Sequence, residues 1–200
     1  MDRAQIDELL YQAYETELGG EQVYLAAIEC AVTDELKEEW QKYLEETRTH
    51  QTVLEGVFEA AELDTATETP GRAIVRQKAA GLVEAMAKAR ETTPGVGAQL
   101  VAAESVVEAE SKDHQNWVLI GLVAESLTGD LKTAFQDAYD EVYEQEGEHL
   151  FHTMGWAREL WLDSMGLPAA IPPPEEEKHT STQIGAGRAA KARDEFVSAD

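Results

Sequence analysis

ETELGGEQVYL, residues 15–25, decides the fold because the chain carries it a second time in altered form, as EAESKDHQNWV at 108–118. Identities fall at Glu15/Glu108, Glu17/Glu110 and Gln22/Gln115, and Tyr24 matches Trp117. Downstream, TDELKEEW at 33–40 aligns with TGDLKTAF at 128–135 through Thr33/Thr128, Leu36/Leu131 and Lys37/Lys132, with Trp40 opposite Phe135. Each copy reads as a helix, a turn at a threonine and a second helix. A duplicated helical hairpin is the expectation.

Apolar residues recur at helical spacing on both sides of these motifs. A first helix is expected over about 4–30, with Ile6, Leu10, Ala13, Tyr24 and Ile28 on one face. The second follows Thr33-Asp34-Glu35 and runs to about 61, with Leu36, Trp40, Tyr43, Leu54 and Phe58 inward. A third spans about 97–127, and a fourth follows Thr128-Gly129-Asp130 to about 165. Strand alternation is absent. The connection 64–94 holds Pro70-Gly71 and a shorter helical stretch, 73–90. Two hairpins joined by such a crossover predict an all-α four-helix bundle. After Gly166, Pro168, the run IPPP at 171–174 and three glutamates stop the last helix. One domain is expected over 1–167, with a proline-rich flexible tail over 168–200 carrying at most a weak helix near 189–197.

The chain of 200 residues is 43% hydrophobic, enough for one substantial core. Its net charge of −24 repels nucleic acid and anionic lipid and attracts small cations. Cys30 is the single cysteine, so neither an intrachain disulfide nor a CxxC metal site is available. The start, MDRAQIDELL, lacks an export signal, and the longest apolar run, 117–124, is too short to span a bilayer. A cytoplasmic protein is expected.

Ionisable residues interrupt every core stripe. Glu17 lies on that of the first helix, with Glu21 close by; Thr47 and His50 lie on the second, with Glu46 beside them. Glu110 and His114 fall on the third, and Glu146 and His149, within EQEGEHLFH at 144–152, on the fourth. Counting from each hairpin turn puts the partner of Glu17 near residue 48 and that of Glu110 near 147. Glu46 and His50 bracket the first position, and Glu146 and His149 the second. Burying such charges costs several kcal/mol per ion unless they are compensated. Inward lysines and arginines are too few, so a bound cation is the expected counter-charge, held by Glu17, Glu46, His50, Glu110, His114, Glu146 and His149. His152 and Glu144 read as surface or outer groups.

With these residues the chain resembles the ferritin-like superfamily of carboxylate-bridged di-iron and di-manganese bundles. An inward glutamate followed seven residues later by an aromatic recurs as Glu17 to Tyr24 and Glu110 to Trp117, and Glu-x-x-His as Glu146 to His149. The second helix departs from the pattern, with Thr47 three residues before His50 and Glu46 four before it. The resemblance implies terminal ligation by Glu17 and Glu110, bridging by Glu146, and one imidazole, His50 or His149, on each of two metals. It further implies two irons, with manganese as the alternative, and oxidation of Fe(II) by O2 or peroxide in iron handling or oxidative-stress defence. Manganese catalase-like dismutation, a di-iron oxygenase and a non-catalytic metal-sequestering or interaction bundle are the alternatives. Any electron donor is expected to be external, and the protein to be a homodimer.

Overall fold

The structure is a computed structural model that describes residues 1–197; the last three residues of the expected tail, 198–200, lie outside the described residues. Within them the chain is all-helical: α1 (Arg3–Cys30), α2 (Asp34–Ala60), α3 (Pro70–Thr92), α4 (Val96–Ser126), α5 (Gly129–Ser164), α6 (Pro174–Glu177) and α7 (Gln183–Val197). No helix is long and apolar enough to cross a membrane, among the described residues.

Local chemistry sets the helix ends. The Asp2 carboxylate accepts from the Ala4 and Gln5 N–H groups at 3.1 and 3.4 Å and starts α1. Thr33 and Thr128, the paired turn threonines, are the N-caps of α2 and α5. Gln99, buried at the start of α4, accepts from the Val32 and Thr33 N–H groups at 2.7 and 2.8 Å and donates to Thr33 Oγ1 at 3.0 Å. It ties the first hairpin turn to the second hairpin. The crossover helix starts earlier than the expected residue 73, because Thr69 Oγ1 accepts from Arg72 N–H at 3.1 Å and Pro70 fits the first turn.

The four long helices form a ring in the order α1, α2, α5, α4, and α3 lies outside it against α1 and α4. Ion pairs set the course of α3 along α1: Arg72 and Arg76 grip Glu15, and Arg90 reaches Glu29 about four turns on. Gly19 permits this approach, since a Cβ there would lie 2.6 Å from Ala79 Cβ. Two apolar clusters fill the ring. One is built around Tyr24, Trp40, Tyr43 and Trp156, the other around Leu10, Phe58, Trp117 and Phe135. The aromatic pairs of the repeat, Tyr24/Trp117 and Trp40/Phe135, are all fully buried.

Residues 168–197 carry two helices, and the second begins at Gln183 rather than near 189. The segment lies against α5. Arg158 forks onto Glu175 at 2.7 and 2.9 Å, and Glu159 accepts from Ala170 N–H at 2.8 Å and from Arg193 at 2.6 Å. At Gly147 a Cβ would lie 2.1 Å from the Ser181 carbonyl oxygen, so this backbone approach requires glycine on α5.

Candidate metal centre

Between the two apolar clusters, the middle of the ring carries ionisable side chains from all four helices. Glu17 comes from α1, His50 from α2, Glu110 and Asp113 from α4, and Glu146 and His149 from α5; all are at most 5% exposed. The i, i+3 pairs Glu110/Asp113 and Glu146/His149 place both members on one helix face. The register read from the turns agrees, with His50 Nδ1 3.5 Å from Glu17 Oε1 and His149 Nδ1 3.6 Å from Glu110 Oε2.

Several of these polar atoms converge without hydrogen-bonding one another. His50 Nδ1 is 2.9 Å from Glu146 Oε1, yet the geometry is not that of a hydrogen bond. Glu17 Oε2, Glu110 Oε2, Asp113 Oδ1, both Glu146 oxygens and both histidine Nδ1 atoms are buried with no hydrogen-bond partner. Donor atoms of His50, Glu146 and His149 lie within 4.8 Å of one another, as do those of Glu17, Asp113 and Glu146. Glu146 belongs to both groups.

Outer contacts fix the two rings. His50 Nε2 donates to Gln145 Oε1 at 2.8 Å and His149 Nε2 to Glu46 Oε2 at 2.9 Å. Each of those oxygens accepts, so Nε2 carries the hydrogen and Nδ1 faces the carboxylates, the tautomer an Nδ1-bound metal needs. Trp117 Nε1 donates to Glu17 Oε1 at 2.9 Å and orients that carboxylate.

Burial, reinforced by the neighbouring carboxylates, raises the Asp113 and Glu146 carboxyls above their usual values. Burial lowers the basicity of His50 and His149, but the carboxylates around them outweigh it and leave both raised. Protons on this layer stand in for cationic charge. Two divalent ions would neutralise its four carboxylates, and mixed carboxylate and imidazole donors suit iron(II), manganese(II) or zinc. The buried atoms without hydrogen bonds and the donor types both fit such ions.

Of the candidate ligands, Glu17, His50, Glu110, Glu146 and His149 come together. Glu46 instead sits behind His149, with Lys42 3.6 Å from its other oxygen. His114 stacks on Tyr143 and meets Phe151 edge-on, outside both groups. Burial lowers its basicity. Glu21 pairs with Arg48 at 3.0 Å. Thr47 packs beside Gly20, where a Cβ would be 3.6 Å from its methyl, and the layer's further carboxylate comes from Asp113 on α4. Asp113 was not among the sequence candidates; its i, i+3 spacing from the inward Glu110 was the available signal.

A second group, Glu39, His152 and Glu176, also brings donor atoms within 4.8 Å of one another. His152, read as an outer group, is buried because the C-terminal segment covers it: the Thr180 N–H donates to its Nε2 at 3.1 Å. That bond makes Nε2 the acceptor and leaves the hydrogen on Nδ1, which faces Tyr43 Oη at 2.8 Å and Glu176 Oε2 at 2.9 Å. Tyr43 donates to Glu39 Oε1 at 2.7 Å, and Trp156 Nε1 donates to Glu39 Oε2 at 2.5 Å. Burial, then Glu176, pushes the Glu39 carboxyl up to about 8. Glu39 and His152 are satisfied in this way, while Glu176 Oε2 is buried without a hydrogen-bond partner, and His152 has the opposite tautomer from His50 and His149. Hydrogen bonding accounts for Glu39 and His152.

Comparison with protein-family models, with curated proteins and with solved structures gives no match to the chain.

Proposed function

We propose that the chain is a ferritin-like bundle that binds two divalent transition-metal ions, iron in the first instance, and oxidises Fe(II) with O2 or peroxide. The observation that carries this reading is the convergence of buried carboxylate and imidazole atoms without hydrogen bonds between the two apolar clusters. The ring order with one long crossover, and the Glu146/His149 pair opposite Glu17 and Glu110, support the ferritin-like assignment. His50 with Glu17 and Asp113 would hold one ion, His149 with Glu110 the other, and Glu146 is available to both. Bound as a pair, iron supplies two-electron redox chemistry toward O2 or peroxide.

The surrounding residues bind and orient. Gln145 and Glu46 hold the two imidazoles, Trp117 holds Glu17, and the apolar clusters on either side exclude bulk water. A separate cavity of about 590 Å³ between α1, α3 and α4 has none of the clustered donors in its lining, so an organic substrate there would be walled off from the site. This favours small oxidants over oxygenation.

The test is stopped-flow mixing of the Fe(II)-loaded chain with O2 or peroxide. Oxidation of about two Fe(II) per chain, faster than free Fe(II) and lost in Glu146→Ala, is the expected result. A rate equal to that of free Fe(II) with both oxidants would overturn the redox assignment.

A further inference from the structure

The cavity under the crossover helix has features that the metal reading does not use. Val23 of α1, Val75 and Leu82 of α3 and Val107 of α4 form its apolar walls, and its volume of about 590 Å³ falls within the ~300–1,000 Å³ of small-molecule sites. Gly81 also lines it. A Cβ at Gly81 would meet nothing within 4 Å, and the residue is mid-helix in α3, where glycine costs about 0.5–1 kcal/mol relative to alanine. Gly81 is exposed, and packing gives no reason for that glycine.

Charge at the cavity is the second observation. The chain has 40 acidic residues against 16 lysines and arginines. Most of the basic residues near α3 are committed to carboxylates: Arg72 and Arg76 to Glu15, Lys88 to Glu91 and Arg90 to Glu29. Lys78 and Lys112 both line the cavity, and neither forms an ion pair among the described residues. Lys112 is half-buried and its ammonium donates to Asn116 Oδ1, which is neutral. Glu108 is the acidic member of the lining; it is exposed and outside ion-pair distance of Lys112. Two cations without anionic partners beside an apolar cavity complement a ligand with a negative head and an apolar tail.

We propose that the cavity between α1, α3 and α4 binds a single-chain amphiphilic monoanion of the fatty-carboxylate class, its head on Lys78 and Lys112 and its tail between the valine and leucine walls. Thr16 and Gly20 of α1 face this cavity, while Glu17 faces the metal layer, so one helix separates the two sites. The site stands independently of metal binding.

The experiment is fluorescence titration of the full chain with a polyene fatty acid, repeated with dodecanoate, a dodecyl alcohol and a dodecyl trimethylammonium ion as competitors. Saturable binding of about one probe per chain is expected, with dodecanoate the best competitor. Lys78→Met with Lys112→Met should weaken binding at least about tenfold, the loss expected for charge-assisted contacts to the head. Gly81→Leu should block the tail, while Gly81→Ala, which adds one methyl in open space, keeps binding. Absence of saturable binding to the folded wild type would overturn the proposal. So would equal competition by the ammonium amphiphile, or affinity unchanged in both the lysine pair and Gly81→Leu.

Discussion

Glu146→Gln should change stability in opposite directions with and without metal. Both Glu146 oxygens are buried without a hydrogen bond, in a layer with Glu17, Glu110 and Asp113. The amide removes one anion from the layer and can turn an N–H toward His50 Nδ1, now 2.9 Å from Oε1. A buried polar atom without a partner costs ~1–3 kcal/mol, so relief worth about 2 kcal/mol is expected in the metal-free chain. For a chain of this size, that raises Tm by about 4–8 °C. Metal at a hundredfold excess over Kd stabilises the wild type by about 2.7 kcal/mol. Glu146→Gln loses the donor available to both ions and most of that gain, so the order of stability reverses when metal is added. Calorimetry after chelation, then with the redox-inert ion Zn(II), measures both arms. If Glu146→Gln is the less stable protein without metal and Zn(II) shifts both proteins alike, the glutamate serves only to hold His50, and the reasoning fails.

Glu46→Gln should lower metal affinity by about 10–100-fold with unchanged stoichiometry, because Glu46 orients His149 from behind; titration with a competing chelator checks this. Loss of one bound ion would instead make Glu46 a ligand. Gly147→Ala should destabilise, against the usual helical gain of about 0.5–1 kcal/mol, because its Cβ would lie 2.1 Å from the Ser181 carbonyl. Limited proteolysis should then cut within 168–197 sooner than in the wild type, and an unchanged cleavage rate would contradict the docked segment. Acid should weaken the attachments of α3 and of the C-terminal segment. Burial raises the Glu15 and Glu159 carboxyls, but hydrogen bonds from Arg76 and Arg72, and from Ala170, Arg193 and Arg158, outweigh it and hold both below 4.5. A carboxyl depressed in the folded state contributes stability that is fully present above 4.5 and is lost as pH falls through its folded value. Denaturation curves should therefore show this contribution level between pH 7 and about 5.5 and falling below about 4, a fall that Glu15→Gln reduces.

The helix ends and hairpin register were legible because local rules fix them. Thr33 and Thr128 mark the turns, and equal counts from a turn find antiparallel neighbours. The Glu17/His50 and Glu110/His149 pairings follow from that arithmetic. Helix rotation was less legible. Adjacent residues on a helix differ by about 100° in direction, so a stripe that takes in Glu110 leaves Asp113 and His114 open to exchange, and the structure turns Asp113 inward. The same uncertainty separates Glu46 from His50. His152 was hidden for a different reason: its burial depends on Thr180 and Glu176, more than 20 residues away, in a segment whose prolines and charges gave no sign of docking. Gly147 and Gly155 were its trace in α5, where the segment comes close enough to exclude a Cβ.

Metal content per chain tests the central claim most directly. Elemental mass spectrometry would be run on tag-free protein reconstituted with Fe(II) under anaerobic conditions and separately with Mn(II), beside the Glu146→Ala/His149→Ala double variant. The account predicts about two ions per wild-type chain and loss of both in the variant. A folded helical protein that retains neither metal would contradict it, as would a variant that retains both ions.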